Sequence, residues 1–238
     1  MKVLVVGGAS GLGKALVEQA MRRGDSVWVI DADREGLDRL DRAAERVLCD
    51  ISEEAAIDGA LEVLRHEPPF DLVVLSAGIS ATGRFENMDP GIMIRVVAVN
   101  LVGTTTALLK CDLIARGGRL VFVSSLSHFV SYPGASAYAA SKDGIVVFAQ
   151  SIRRAQHAVS VQVVTPGPME TPHAERYSPP NGKKGSRADP KEIAAVILRK
   201  TSGGVIVPGV TAKLAAFAGR VAPSFVGRMM RHLIYARL

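Results

Sequence analysis

The chain has 238 residues, is 48% hydrophobic and carries a formal net charge of +6. A chain of this length and apolar content buries a core of its own, and no stretch approaches the ~18 apolar residues that cross a membrane, so one soluble domain is the first expectation. The charge is uneven: residues 1–180 hold 18 basic and 21 acidic side chains, whereas 181–238 hold 11 and 2, which excludes a general nucleic-acid-binding face on the body of the protein.

Residues 2–6 form an apolar run too brief for a secretory signal and read as a strand. Gly7-Gly8-Ala9-Ser10-Gly11-Leu12-Gly13 follows directly and leads into a helical pattern over 12–21. Strand, glycine turn and helix arrive in the order a dinucleotide site requires. Glycine removes the Cβ that would hold the backbone away from a pyrophosphate, and the helix start favours its negative charge. A second strand over 26–30 ends in Asp31, eighteen residues past Gly13, where a carboxylate can accept hydrogen bonds from both hydroxyls of an adenosine ribose. Arg34, close by, is the side chain that would instead favour a 2′-phosphate. A third strand is expected over 46–49 and a helix over 52–64, for which Asp50 is a candidate cap. The fourth strand, over 71–75, runs into Ser76-Ala77-Gly78.

Residues 90–115 read as one long helix, with Asn100 inside an apolar run where a buried amide needs partners. A fifth strand over 118–124 closes on Ser124-Ser125, and thirteen residues past Ser125 stands Tyr138-Ala-Ala-Ser-Lys142, in a helix expected over 136–154. A spacing of four puts phenol and ammonium on one helix face, about a turn apart. A phenol near pKa 10 is a poor base at neutral pH, and a neighbouring cation moves its pKa down towards working pH. A sixth strand over 159–164 leads to Pro166-Gly167-Pro168-Met169-Glu170-Thr171. Residues 172–190, rich in Pro, Gly, Ser and Lys, read as a mobile lid over a substrate, followed by a helix over 190–200 and a strand over 204–207. The alternation implies an α/β doubly wound parallel sheet of about seven strands with helices on both faces and the ligand at the carboxyl ends of the strands.

The glycine turn, Asn100, Ser125 and the Tyr138/Lys142 pair, in this order and spacing, resemble the short-chain dehydrogenase/reductase family in its single-domain Rossmann form. The resemblance covers residues 1–207. It implies a cofactor site made of Gly7, Ser10, Gly11, Leu12 and Gly13 in the turn, Asp31 at the ribose, Asp50 and Ile51 at the adenine, and Ala77 and Gly78 beneath the cofactor. It also implies Pro166 and Gly167 in the closing loop, with Thr171 meeting the nicotinamide carboxamide. Lys142 then hydrogen-bonds the nicotinamide ribose, Tyr138 is the acid/base, Ser125 holds the substrate oxygen, and Asn100 kinks its helix and holds a water leading to the lysine. The chain departs from the family pattern at Val6, usually Thr, and at Leu75-Ser76, where two asparagines usually precede Ala-Gly.

The expected activity is an NAD(H)-dependent interconversion of a secondary alcohol and a ketone. An NADP(H)-dependent carbonyl reductase, or a catalytically silent protein that senses nicotinamide dinucleotides, are the alternatives. Expected partners are a small-molecule alcohol or ketone and further copies of the chain, the helices from 90 and 136 pairing into a homodimer or homotetramer as in the family. Cys49 and Cys111 stand far apart with no His, Cys, Asp or Glu cluster near them, so neither a metal site nor a disulfide is expected, and a reducing cytoplasm fits. His128, three residues past Ser125, reads either as a substrate contact or as a solvated loop histidine. Residues 208–238 form a basic extension in which Leu214, Phe217, Val221, Phe225, Val226, Met229, Met230, Leu233, Ile234 and Tyr235 alternate with Lys213, Arg220, Arg228, Arg231 and Arg237. This suits an amphipathic helix interrupted at Pro223, which either packs on the protein or lies on an anionic bilayer.

Overall fold

The structure, a computed structural model, describes residues 1–109, 113–130, 133–155, 158–177, 187–199 and 203–233. Cys111, Lys200, residues 178–186 of the expected lid, and Ile234, Tyr235 and Arg237 of the tail lie outside the described residues.

Seven strands form one parallel sheet in the order β3-β2-β1-β4-β5-β6-β7. They are β1 Lys2–Val6, β2 Ser26–Asp31, β3 Glu45–Leu48, β4 Phe70–Leu75, β5 Ile114–Val123, β6 Ser160–Val164 and β7 Gly204–Ile206. Strands buried on both faces need apolar residues at successive positions, which is why β1 and β4 read as unbroken hydrophobic runs. Along β1, Val3 and Val5 join one core with Leu12, Leu16 and Val17 of α1 (Gly11–Arg22) and Ile193 and Ile197 of α9 (Pro190–Leu198). Leu4 and Val6 point the other way, into a core with Ile57, Leu61 and Leu64 of α3 (Glu54–Arg65) and Ile145, Val146 and Ala149 of α7 (Ser136–Ala155). The chain order reverses between β1 and β4, and that crevice at the carboxyl ends is where an open sheet of this kind takes a ligand.

The expected helix over 90–115 is corrected. Helix α4 (Pro90–Val97) passes into a π-helical stretch, Ala98–Gly103, and resumes as α5 (Thr104–Leu109). Gly103 lies against the backbone of Ile51, where an added Cβ would stand 2.0 Å from the Ile51 carbonyl oxygen. Strand β5 starts at Ile114, four residues ahead of expectation, because Ile114 pairs with Phe70 and the ladder then shifts register across Gly117, whose φ of +78° suits a bulge. Three short helices lie outside the expected pattern: α2 (Arg34–Asp38), capped by Asp33, α6 (Ser127–Val130), and α8 (Pro172–Arg176) inside the expected lid, capped by Thr171. In the tail, α10 (Val210–Val221) and α11 (Pro223–Leu233) break at Pro223 as expected, and both pack on α6.

Candidate active site

One large cavity, about 1530 Å³, opens at the carboxyl edge of the sheet. It exceeds the ~300–1,000 Å³ of ordinary small-molecule pockets and has room for a dinucleotide and a substrate together. Gly7, Ser10, Gly11, Leu12 and Gly13 form one end, with Asp31, Asp50, Ile51, Ala77 and Gly78 beside them. Ser125, Tyr138, Lys142, Pro166, Gly167 and Thr171 line the rest. Asn100 is fully buried behind the wall and does not line it.

The glycine end is held by backbone contact. Gly7 adopts φ +83°, and a Cβ there would meet the Ala77 nitrogen at 2.4 Å. Ser10 precedes α1 without making a side-chain capping bond, so the first-turn N–H groups keep their capacity for an anionic ligand. This close-packed turn at a helix start fits a dinucleotide pyrophosphate. Ser76, one of the departures from the family pattern, secures it: its hydroxyl donates in a shared bond to the carbonyls of Val6 (2.9 Å) and Gly7 (3.1 Å), joining the end of β4 to the glycine turn. Asp31 lies at the end of β2, its oxygens accepting from the backbone N–H groups of Ala9 (2.9 Å) and Asp33 (3.0 Å). Each carboxylate oxygen keeps a further lone pair for a ribose hydroxyl. Desolvation opposes charge on Asp50, but hydrogen bonds from Ser52 and the Arg95 guanidinium outweigh it and hold the carboxyl below its usual range. Burial, helped by the Asp50 charge, pushes the nearby Cys49 thiol up to about 11, which leaves it inert.

At the other end Asn100 makes the interior rigid. Its Oδ1 accepts from the Ile79 N–H (2.8 Å), and its Nδ2 donates to the Ile79 carbonyl (2.9 Å) and the Ser141 hydroxyl (3.0 Å). The amide thus ties the π-helical stretch to the loop after β4 and to α7. Ser124 adds a second tie from β5 to α7, donating to the Lys142 carbonyl at 2.7 Å. The Tyr138 phenol and Ser125 line the same part of the cavity, and the Lys142 ammonium stands 6.0 Å from the Tyr138 ring centre while donating to the Val123 carbonyl (3.0 Å).

The electrostatics correct one expectation. The Tyr138 phenol is raised above its usual pKa: desolvation dominates, and the neighbouring Ser125 hydroxyl recovers only part of it. Part of the ring faces the cavity, but its surroundings are packed closely enough for desolvation to set the direction. Burial also lowers Lys142 to about 8 from its ordinary 10.5. Between those values the folded chain binds fewer protons than the unfolded one, so this group's contribution to stability rises with pH across that window, and below about 8 its burial penalty is fully present. Melting wild type beside Lys142→Met at several pH values should show wild type gaining on the variant from neutral pH to pH 10. A pH-independent difference would mean that Lys142 titrates normally.

His173, on α8, escaped the sequence reading. Its ring lies 6.0 Å from that of Tyr138 and 4.8 Å from that of Tyr177, and it lines the cavity. Desolvation first, then the Lys142 charge, outweigh the Gly78 backbone hydrogen bond and bring it down to about 4, a neutral imidazole at working pH. No motif could have revealed it, since the contact joins Tyr138 of α7 to a residue of α8 distant in sequence. His128 is turned instead to Asp143 on α7, in a side-chain hydrogen bond outside the cavity lining. Thr171 is buried and its hydroxyl accepts the Ala174 N–H (3.2 Å), capping α8. Met230 and Leu233, from the tail, complete the wall. Among the described residues no cluster of His, Cys, Asp and Glu is placed to hold a metal.

A dinucleotide-sized cavity at the crevice of a parallel sheet, with a tyrosine, a serine and a buried lysine converging on it, defines a nicotinamide-dependent oxidoreductase of Rossmann architecture. Residues 1–182 match the family model described as short chain dehydrogenase, and the chain belongs to that family. It is 29% identical to dehydrogenase/reductase SDR family member 7B of Bos taurus, over 96% of this chain and 79% of that protein. It is 27% identical to the 3-oxoacyl-[acyl-carrier-protein] reductase MabA of Mycobacterium avium, over 97% and 90%. The crystal structure of a 3-ketoacyl-(acyl-carrier-protein) reductase from Brucella melitensis complexed with NADH superposes with a TM-score of 0.77 at 24% identity, over 87% of this chain and 96% of that one.

Proposed function

We propose that the protein interconverts a secondary alcohol and a ketone with NAD(H), using Tyr138 as the acid/base. The observation that carries this is the convergence of Ser125, Tyr138 and Lys142 on one cavity wall, with the buried Lys142 ammonium 6.0 Å from the Tyr138 ring centre. Nicotinamide dinucleotide, when bound, supplies or accepts the hydride. The glycine turn and Asp31 would hold and orient it, Lys142 would hydrogen-bond its nicotinamide ribose and Thr171 its carboxamide, all of them lining the same cavity. Ser125 donates to the substrate oxygen and Tyr138 transfers the proton to it as the carbonyl becomes an alcohol. A phenol raised by burial is a proton donor at neutral pH, which suits reduction; Lys142, charged below about 8, stabilises the phenolate left behind. Asn100 keeps Lys142 and the loop after β4 in register and supports the water-borne path that reloads the proton. Relatives whose names describe reduction of a 3-oxoacyl group, a ketone, support the reaction class.

NAD is favoured over NADP by the ribose end of the cavity. Arg34 is not among the lining residues, and Arg39, which is, pairs with Glu35 at 3.1 Å. Asp31 therefore leaves a 2′-phosphate facing a carboxylate, a repulsion of about 1–4 kcal/mol at ~4 Å over the range of effective dielectric. Comparison of kcat/KM with NADH and NADPH should favour NADH at least tenfold, and Asp31→Ser should narrow the gap. A preference for NADPH would reverse the assignment.

Association with further copies is proposed through the face made by α4 and α7. Val96 and Val99 are buried in the subunit, but Ile94 and Val102 are exposed beside a shallow apolar depression lined by Phe85, Met93 and Ala140. Sedimentation should show a dimer or tetramer at micromolar concentration that Ile94→Asp dissociates. A monomeric wild type would remove this proposal.

A further inference from the structure

We propose that α10 and α11 form a docking surface for an anionic lipid bilayer, on which the protein lies without crossing it. Helix α10 packs on the protein through its small residues. Ala212, Ala216 and Gly219 are buried, and a Cβ on Gly219 would come within 2.2 Å of the Phe129 carbonyl oxygen. The opposite side of the same helix, at spacings of four, three and four, carries Val210, Leu214, Phe217 and Val221, and Phe225 and Met229 of α11 are exposed as well. Leu214, Phe217 and Phe225 are 65%, 67% and 62% exposed. Large apolar side chains aligned on the outside of a helix mark a surface that another phase or molecule covers. Lys213 and Arg220 run beside the stripe, seven residues apart, and Arg228 and Arg231 stand exposed on α11.

Charge decides the occupant. No acidic residue follows Glu192, so the two helices present four cations and no anion. A second copy related by a twofold axis would set these cations against their own equivalents with no carboxylate between them, and the α4 and α7 face offers an uncharged alternative. A nucleic acid would meet the cations but leave a mainly aliphatic apolar stripe against its phosphates. An anionic bilayer satisfies both, taking the apolar side chains into the acyl boundary and the cations at the headgroups. No described helix is long and apolar enough to cross a membrane, so the contact is peripheral. Because Met230 and Leu233 of α11 also line the large cavity, docking brings the cavity wall to the lipid surface. The lipid contact stands independently of the redox reading.

The test is co-sedimentation of the full chain at low salt with phosphatidylcholine vesicles, with and without phosphatidylglycerol. Wild type should pellet with the phosphatidylglycerol vesicles and stay in solution with the neutral ones. Lys213→Gln with Arg220→Gln should cut partitioning about 25-fold, each cation being worth about fivefold. Phe217→Ser with Phe225→Ser should cut it at least tenfold. Both variants should melt and bind NADH as wild type does, since none of the four side chains is buried. The proposal is overturned if wild type remains in the supernatant with anionic vesicles, or if both variants still pellet like wild type. It is also overturned if the phenylalanine variant breaks a wild-type oligomer that does not bind vesicles, which would assign the face to a second copy.

Discussion

Tyr138→Phe should lower kcat by about 10²–10⁴-fold while NADH binding stays within a few fold of wild type. The hydroxyl it removes is the proposed acid/base group on the cavity wall beside Ser125 and Lys142, and a missing acid/base group costs about this much. The ring itself remains, packed beside Lys142 and His173, so the cavity keeps its shape. Steady-state kinetics with a fluorescence titration of NADH separates the two effects. Near wild-type turnover would show that another group moves the proton. An equal loss of NADH binding would show that the substitution disturbed the site.

Gly13→Ala should be the most damaging single methyl group in the protein. The added Cβ would stand 1.8 Å from the Gly7 carbonyl oxygen, 2.7 Å from its carbon and 2.9 Å from Gly8 Cα, all backbone atoms. Heavy atoms rest in contact near ~3.5 Å, so α1 and the glycine turn must part by more than an ångström. Overpacking costs about 1–3 kcal/mol when side chains can yield, and here none can. The melting temperature should fall by roughly 5–10 °C and NADH affinity by at least tenfold. Gly59→Ala is the control: it lies on the exposed face of helix α3 with nothing within 4 Å of the new Cβ, and it should stabilise by up to ~1 kcal/mol. An unaltered NADH affinity in Gly13→Ala would mean that the turn does not hold the cofactor.

The sheet was readable from the sequence because a parallel strand buried on both faces leaves an unbroken run such as Leu120 to Val123, and helices between the runs leave a 3.6-residue stripe. The course of 90–115 was less so. The π-helical stretch and the bulge at Gly117 are answers to neighbours, Ile51 and Phe70, that are distant in sequence. The same division applies to the site. The Tyr138/Lys142 pair and the glycine turn are local patterns, whereas Ser76, His173, Met230 and Leu233 reach the cavity from separate elements. Sequence spacing also shows that a cation stands near Tyr138 but not how deeply the phenol is desolvated, and burial reversed the sign of its pKa shift. His128 was misleading for the same reason, its partner Asp143 being on another helix.

The central claim is hydride transfer between a nicotinamide and a carbonyl carbon at this site. Its most direct test is incubation of the protein with NADH deuterated at the transferable position and a panel of ketones that includes 3-oxoacyl thioesters, followed by mass spectrometry. The account predicts at least one ketone converted to an alcohol carrying a single deuterium on the carbinol carbon, and none converted by Tyr138→Phe beyond the residual rate above. NADH that binds tightly but passes deuterium to no ketone in the panel would contradict it and leave a dinucleotide-sensing protein.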